Sequence, residues 1–167
     1  AQKKIIDNDL RDFRLSGVSL AEDKKQQYKI AQQRLTEICN KFEENLLDAT
    51  NAWQKHITDK NLLSGLPEHA IATAQKTATE KSLEGYLLTL EFPCYYAVIT
   101  YADDAALRQE IYKAHTTRAS EINSNAAAYD NSELMEEIVS LRHRLANLVG
   151  FANFDEYSLA TKMAKKP

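Results

Sequence analysis

The sequence predicts a mainly α protein: an elongated multi-helix bundle with one very long helix over about residues 20–57, helical hairpins, and at most one or two short strands near 86–92. Three observations lead to that class. Only four glycines and three prolines occur in 167 residues, too few for many tight turns or long loops. Apolar residues recur at spacings of three and four over most of the chain, the signature of amphipathic helices. A single segment, residues 84–92, alternates instead.

The first element covers roughly residues 3–16. Leu10 and Phe13 share a helix face, and Ser16-Gly17 supplies a stop in which Gly17 takes a positive φ. Val18 is then placed to fold back on Phe13. SLAE at 19–22 has the form of a capping box, in which serine hydroxyl and glutamate carboxylate satisfy each other's free amides. Behind it runs the longest periodic pattern in the chain: Tyr28, Ala31, Leu35, Ile38, Phe42, Leu46 (with Asn45 beside it), Ala49, Trp53 and Ile57. Neither Gly nor Pro interrupts it. A helix of that extent is roughly 55 Å long at 1.5 Å per residue and needs an apolar partner along its stripe.

The pattern breaks at TDKN, 58–61. SGLP at 64–67 starts another helix, with Pro67 in the first turn, where its missing N–H costs nothing. Ala70, Ile71, Ala74 and Ala78 give that helix a narrow apolar side suited to close packing. In 86–92, Tyr86, Leu88, Leu90 and Phe92 fall on one face and Leu87, Thr89 and Glu91 on the other, which reads as a strand. Residues 94–101 have β-forming propensity, but Pro93 favours opening a short helix there. Asp103 caps a helix to about residue 122, with Leu107, Ile111 and Ala114 inward. Residues 123–131 read as a polar loop. Leu134, Ile138, Leu141, Leu145 and Leu148 mark a helix over about 132–149. Gly150 ends it, Phe151 packs back, and NFDE at 153–156 opens the next helix.

Hydrophobic residues make up 44% and charged residues 27%, an ordinary globular balance for one domain. A formal charge of −3 and a pI near 5.8 give no global basic field to attract nucleic acid. No apolar run approaches the roughly 20 residues of a membrane span, and AQKKIIDNDLRDF does not read as a secretory signal. Cys39 and Cys94, far apart in apolar contexts, read as reduced, buried thiols of a cytoplasmic protein.

A search for reactive groups assigns none. The four histidines, His56, His69, His115 and His143, lack the H-E-x-x-H spacing that sets two imidazoles and a general-base glutamate on one helix. Glu136 lies seven residues before His143 on the same face, a spacing that admits a carboxylate–imidazole metal pair. Arg142 and Arg144 flank that histidine and repel a cation, so a solvated polar face is the stronger reading. His115 lies near the inward face of its helix and reads as a partly buried histidine. Glu110 and Glu137 lack the histidine three residues on that bundle metal sites require. Glu43-Glu44 and Glu136-Glu137 read as surface charge. The glycines, at 17, 65, 85 and 150, are too scattered for a phosphate loop, and no G-x-S-x-G is present. Tyr95, Tyr96 and Tyr101 cluster without flanking arginines, a weak basis for base stacking.

Several blocks taken together resemble one family. NDLRDFRLSGV at 8–18, KFEEN at 41–45, LDATNAW at 47–53, YLLTLEFP at 86–93 and VITYAD at 98–103 are similar to the helical N-terminal region of the thimet-oligopeptidase family of zinc metallopeptidases. TRAS at 117–120, DN at 130–131, EEI at 136–138, LRH at 141–143, LVGFAN at 148–153 and YSLATKMA at 157–164 continue the resemblance in order, from about residue 4 to residue 164.

The resemblance implies a parent enzyme several times longer, cytoplasmic, that cleaves short unstructured peptides in a deep channel. In the family, zinc is held by the two histidines of H-E-x-x-H and a later glutamate. The motif glutamate activates the bound water. None of those residues has a counterpart in 1–167, so no catalytic or metal residue is carried over, and substrate-binding residues are unassigned.

The expectation is a single helical fragment forming part of the channel wall, inactive alone and without its own cofactor, zinc belonging to the parent. Its partner is the remaining catalytic portion of the parent chain, with short peptides as the parent's substrates, and neither nucleic acid nor membrane is involved. Family members extend beyond both Ala1 and Pro167, and apolar surface is expected to lie open where the missing portion docks. Two other readings are a free-standing helical adaptor that binds partners through its long helix, and a small metalloenzyme using the histidines. The absent metal spacings make the second of these the weakest.

Overall fold

The computed structural model describes residues 2–123, 126–164 and 166. It is mainly helical, with a single two-stranded sheet among the described residues. The chain forms two compact units, 1–42 with 133–167, and 43–132.

The first unit holds helix α1 (Gln2–Leu15), the leading part of helix α2 (Glu22–Ala52), helix α7 (Ser132–Leu148, all but its first residue) and helix α8 (Phe154–Leu159). Helix α1 ends as expected at Gly17, which has φ 77°. Tyr28 of α2 donates its hydroxyl to the Leu15 carbonyl at 3.1 Å, tying α2 to the end of α1. Burial and the neighbouring Tyr157 push the Tyr28 phenol up from its ordinary value. The buried apolar residues here are Ala31 and Ile38 of α2 and Ile138, Leu145 and Ala146 of α7. Arg34 clamps Glu137 in a two-point ion pair, both bonds 2.7 Å, so this glutamate is paired across helices rather than simple surface charge.

Two expectations in this unit are corrected. The SLAE capping box does not start α2: the Leu20 amide is still bonded to the Gly17 carbonyl, so Ser19 lies inside the preceding turn. The first helical bond runs from the Lys25 amide to the Ala21 carbonyl, 2.8 Å. Val18 does not cover Phe13, since both are largely exposed.

The junction of α7 and α8 follows the sequence closely. Gly150 has φ 93°, its amide bonds Asn147 O and the Phe151 amide bonds Ala146 O. This paired closure needs a left-handed residue, which glycine adopts without a Cβ penalty. Asn153 then caps α8, its Oδ1 accepting the Glu156 amide at 2.9 Å.

The second unit begins with the end of α2. The helix does not reach Ile57: it stops at Ala52, and Gln54–Ile57 forms strand β1, antiparallel to strand β2 (Tyr86–Thr89) with Ile57 opposite Tyr86 and Gln54 opposite Thr89. Trp53 and Ile57 continue the helical spacing, yet Ile57 is buried against Leu88 in the core of this unit rather than on the α2 stripe. The pairing demands a glycine at 85, where a Cβ would stand 2.5 Å from the Ile57 carbonyl oxygen at φ 94°. Along the α2 stripe, Asn45 rather than Leu46 occupies the buried position.

A 3-10 turn (Lys60–Leu63), capped by Asp59, leads to helix α3 (Glu68–Glu80), for which Pro67 is the capping residue just before the first turn. Ala74 and Ala78 are fully buried on its narrow side, as the small residues imply. Strand β2 is shorter than the alternation suggested. Leu87 and Leu88 are both buried, so neither face is wet, and Phe92 is 67% exposed as the first residue of helix α4 (Phe92–Tyr101). Pro93 opens that helix, as its fixed φ favours.

Helix α5 (Ala105–Thr116) is capped by Asp104, whose carboxylate accepts the Ala106 and Leu107 amides. Asp103, expected as the cap, instead accepts the Ser64 hydroxyl at 2.7 Å. The helix ends at Thr116, short of residue 122, because Ala119 turns into the left-handed region at φ 49°. Its carbonyl accepts the Asn131 amide at 3.0 Å, which ties the turn to the segment before α7. Within the expected polar loop, residues 126–129 form a short helix α6 (Ala126–Tyr129), while residues 124 and 125 lie outside the described ones.

Candidate functional site

The histidines do not converge. His56 lies exposed on β1 with Nε2 2.6 Å from the Glu84 carbonyl, and His69 is exposed on the first turn of α3. His143 is exposed on α7, as is Glu136, and its carbonyl accepts the Asn147 amide group. Among the described residues no group of three or more His, Cys, Asp or Glu is placed to hold a metal ion.

A cleft of about 190 Å³ lies in the second unit between α3, β2 and α4. Its walls include Leu66, Ala74, Leu88, Ala97 and Val98, with His69 and Glu91 also lining it. Cys94 reaches this cleft, but burial pushes its thiol up, although its sulfur accepts the Thr89 amide at 3.4 Å. A thiol held protonated is a poor nucleophile.

Polar groups gather instead where α4 and α5 meet the end of α2. Tyr95 of α4 stacks on His115 of α5, ring centroids 3.8 Å apart and planes 12° from parallel. Arg118, two residues past α5, donates from Nη1 to the Thr50 hydroxyl of α2 at 3.4 Å. Burial, then the neighbouring Arg118 charge, pushes the His115 imidazole below its ordinary value and favours the neutral ring. Burial also pushes the Arg118 guanidinium down, with the Tyr95 hydroxyl acting the other way. The Arg118 Nε–H is buried and has no hydrogen-bond partner.

Sequence reasoning placed His115 near the inward face of its helix and it is half-buried there, but it passed over Arg118. No sequence signal singles out Arg118: Glu121, three residues on, is an available carboxylate partner.

With this geometry in hand, the chain can be set beside known proteins. The model of Peptidase family M3 matches residues 98–167. Oligopeptidase A of Escherichia coli (strain K12) is 53% identical over 167 residues, which is 100% of this chain and 25% of that protein. Oligopeptidase A of Haemophilus influenzae is 52% identical over 167 residues, 100% of this chain and 24% of its own. A probable cytosolic oligopeptidase A of Arabidopsis thaliana is 36% identical over 171 residues, 98% of this chain and 24% of its own. The chain thus spans about a quarter of the length of these relatives. Residues 98–167 thus carry part of the Peptidase family M3 pattern, and the whole chain is similar to one stretch of oligopeptidase A.

Proposed function

We propose that this chain is a non-catalytic helical part of a cytoplasmic zinc oligopeptidase, forming one wall of the channel in which short peptides are cleaved. The observation that carries the reading is the 53% identity along the whole chain to 25% of oligopeptidase A, whose name describes cleavage of oligopeptides. The zinc and its activated water belong, in this reading, to the remainder of the protein.

Support for a docking role comes from α1. Ile6, Leu10 and Phe13 recur at four- and three-residue spacing on one face, yet they are 57%, 52% and 62% exposed. A helix that buries none of its apolar residues lacks the packing that normally stabilises an isolated amphipathic helix. The missing three-quarters of the parent is the occupant proposed for that face.

The test is zinc content and hydrolysis of an internally quenched short peptide, for this chain and for the same chain extended to the relatives' length. Zinc and chelator-sensitive cleavage only in the extended protein support the reading. Stoichiometric zinc with cleavage by the 167-residue chain alone overturns it.

A further inference from the structure

We propose that the apolar cleft between α3, β2 and α4 is a binding site for a free, uncharged small molecule the size of one aromatic ring. Interiors of folded proteins are close-packed, and their side chains interdigitate with few voids larger than a water molecule. Here about 190 Å³ stays open within the second unit, against side chains of its core. An apolar cavity of about 150 Å³ stays dry and takes up benzene, so the volume is that of a single ring.

The lining is apolar inside and open at the surface. Leu66, Ala74, Leu88, Ala97 and Val98 are buried and belong to one core cluster. His69 and Thr73 of α3, and Glu91 and Pro93 at the start of α4, line the same cleft and are exposed, so a ligand has a route in. Polar groups along the wall are already engaged. Thr73 donates its hydroxyl to the His69 carbonyl at 2.8 Å, and Thr77 donates to the Thr73 carbonyl at 3.0 Å. The Thr89 amide donates to the Cys94 sulfur at 3.4 Å. A charged ligand would give up its water against walls whose threonine hydroxyls and strand amide are spent, a cost that apolar contact does not offset.

The space exists because the helices present small residues to it. Ala70, Ala74 and Thr77 of α3 and Ala97 of α4 all line it, and a leucine at half-buried position 70 or 77 would occupy the opening itself. A free molecule is the occupant that the volume favours. One ring in about 190 Å³ is covered over most of its surface, as small-molecule sites require. A side chain of a longer polypeptide would have to bring its backbone to the rim as well. The inference does not rest on the zinc-peptidase reading, since the cleft is formed by residues 66–98 alone.

The experiment follows the methyl resonances of Leu66, Leu88 and Val98 by proton–carbon NMR in the full 167-residue chain. Titrants are toluene, indole, the benzylammonium ion and N-acetylphenylalanine amide. Saturable shifts with toluene and indole at a Kd on the order of 1 mM or below, with ring-to-methyl Overhauser contacts, support the site. Benzylammonium should bind at least about tenfold more weakly than toluene. Ala70→Leu and Thr77→Leu fill the cleft and should each weaken toluene binding by about tenfold or more, with circular dichroism verifying that helix is retained. Should neither variant keep its helix, the titration of the unmodified chain decides alone. Tighter binding of N-acetylphenylalanine amide than of toluene overturns the free-molecule assignment in favour of a polypeptide side chain. No saturable shift with either uncharged ring, equal binding of benzylammonium, or unchanged toluene binding in folded variants overturns the site itself.

Discussion

Asn45 and Asn131 form a buried amide pair, Nδ2 of the first donating to Oδ1 of the second at 2.8 Å across 86 residues of chain. Asn45 is 6% exposed and Asn131 1%. The pair joins α2 to the segment before α7, and Asn131 also holds the Ala119 turn. Asn45→Ala removes the donor and leaves the Asn131 oxygen buried without it. The expected loss is about 1–3 kcal/mol. Urea unfolding checks this, and a double-mutant cycle with Asn131→Ala should show that the two losses do not add.

Gly85 is the second test of the fold. A methyl group there meets the Ile57 carbonyl oxygen at 2.5 Å and must also tolerate φ 94°. Gly85→Ala should destabilise by about 1–3 kcal/mol, the range for a strained residue. Hydrogen exchange at the β1–β2 amides should accelerate selectively, while a Gly85→Ala chain as stable as the parent contradicts the pairing described.

The electrostatics of His115 predict a pH dependence. Burial and the Arg118 charge hold its folded pKa below the ordinary value, so the unfolded state binds more protons in the window between the two. Stability should therefore rise with pH through that window and fall as the solution is acidified below the unfolded value. Arg118→Gln removes the like charge, so the His115 pKa should move up. Proton NMR titration of the ring resonances checks both directions.

Glu137 acts with the opposite chemistry but the same sign of slope. The Arg34 hydrogen bond is the main force holding its carboxyl below the ordinary value. Its contribution is present above the unfolded carboxylate pKa and is lost as pH falls through the folded one. Glu137→Gln should lose this small, solvent-screened contribution near neutrality, flatten the acid limb of the stability–pH curve to match, and make no difference below the folded pKa.

How much of this was legible in the sequence differs by region. The α7 stripe, the Gly150 closure and the Asn153 cap were readable, because each depends on residues within a few positions of one another. So were the buried alanines of α3. The switch at residue 53 was not: Trp53 and Ile57 fit a helical spacing, and the strand partner of β1 lies some 30 residues away. The capping positions at Ser19 and Asp103 failed for a related reason. A cap depends on where the preceding turn closes, and the Gly17 and Ser64 bonds that decide this are set by the folded chain. The face of α1 carries an ordinary amphipathic pattern; only the structure reveals that Ile6, Leu10 and Phe13 are each more than half exposed among the described residues. Arg118 was overlooked because an arginine's missing partner leaves no mark on sequence.

The central claim is that this chain is one wall of a larger peptidase, with the α1 face closed by the rest of that protein. Hydrogen exchange read by mass spectrometry on the α1 peptides, in the 167-residue chain and in the same chain extended to the relatives' length, tests it most directly. The account predicts fast exchange over Gln2–Leu15 in the short chain and clear protection in the extended one. Equal exchange of α1 in both would contradict it.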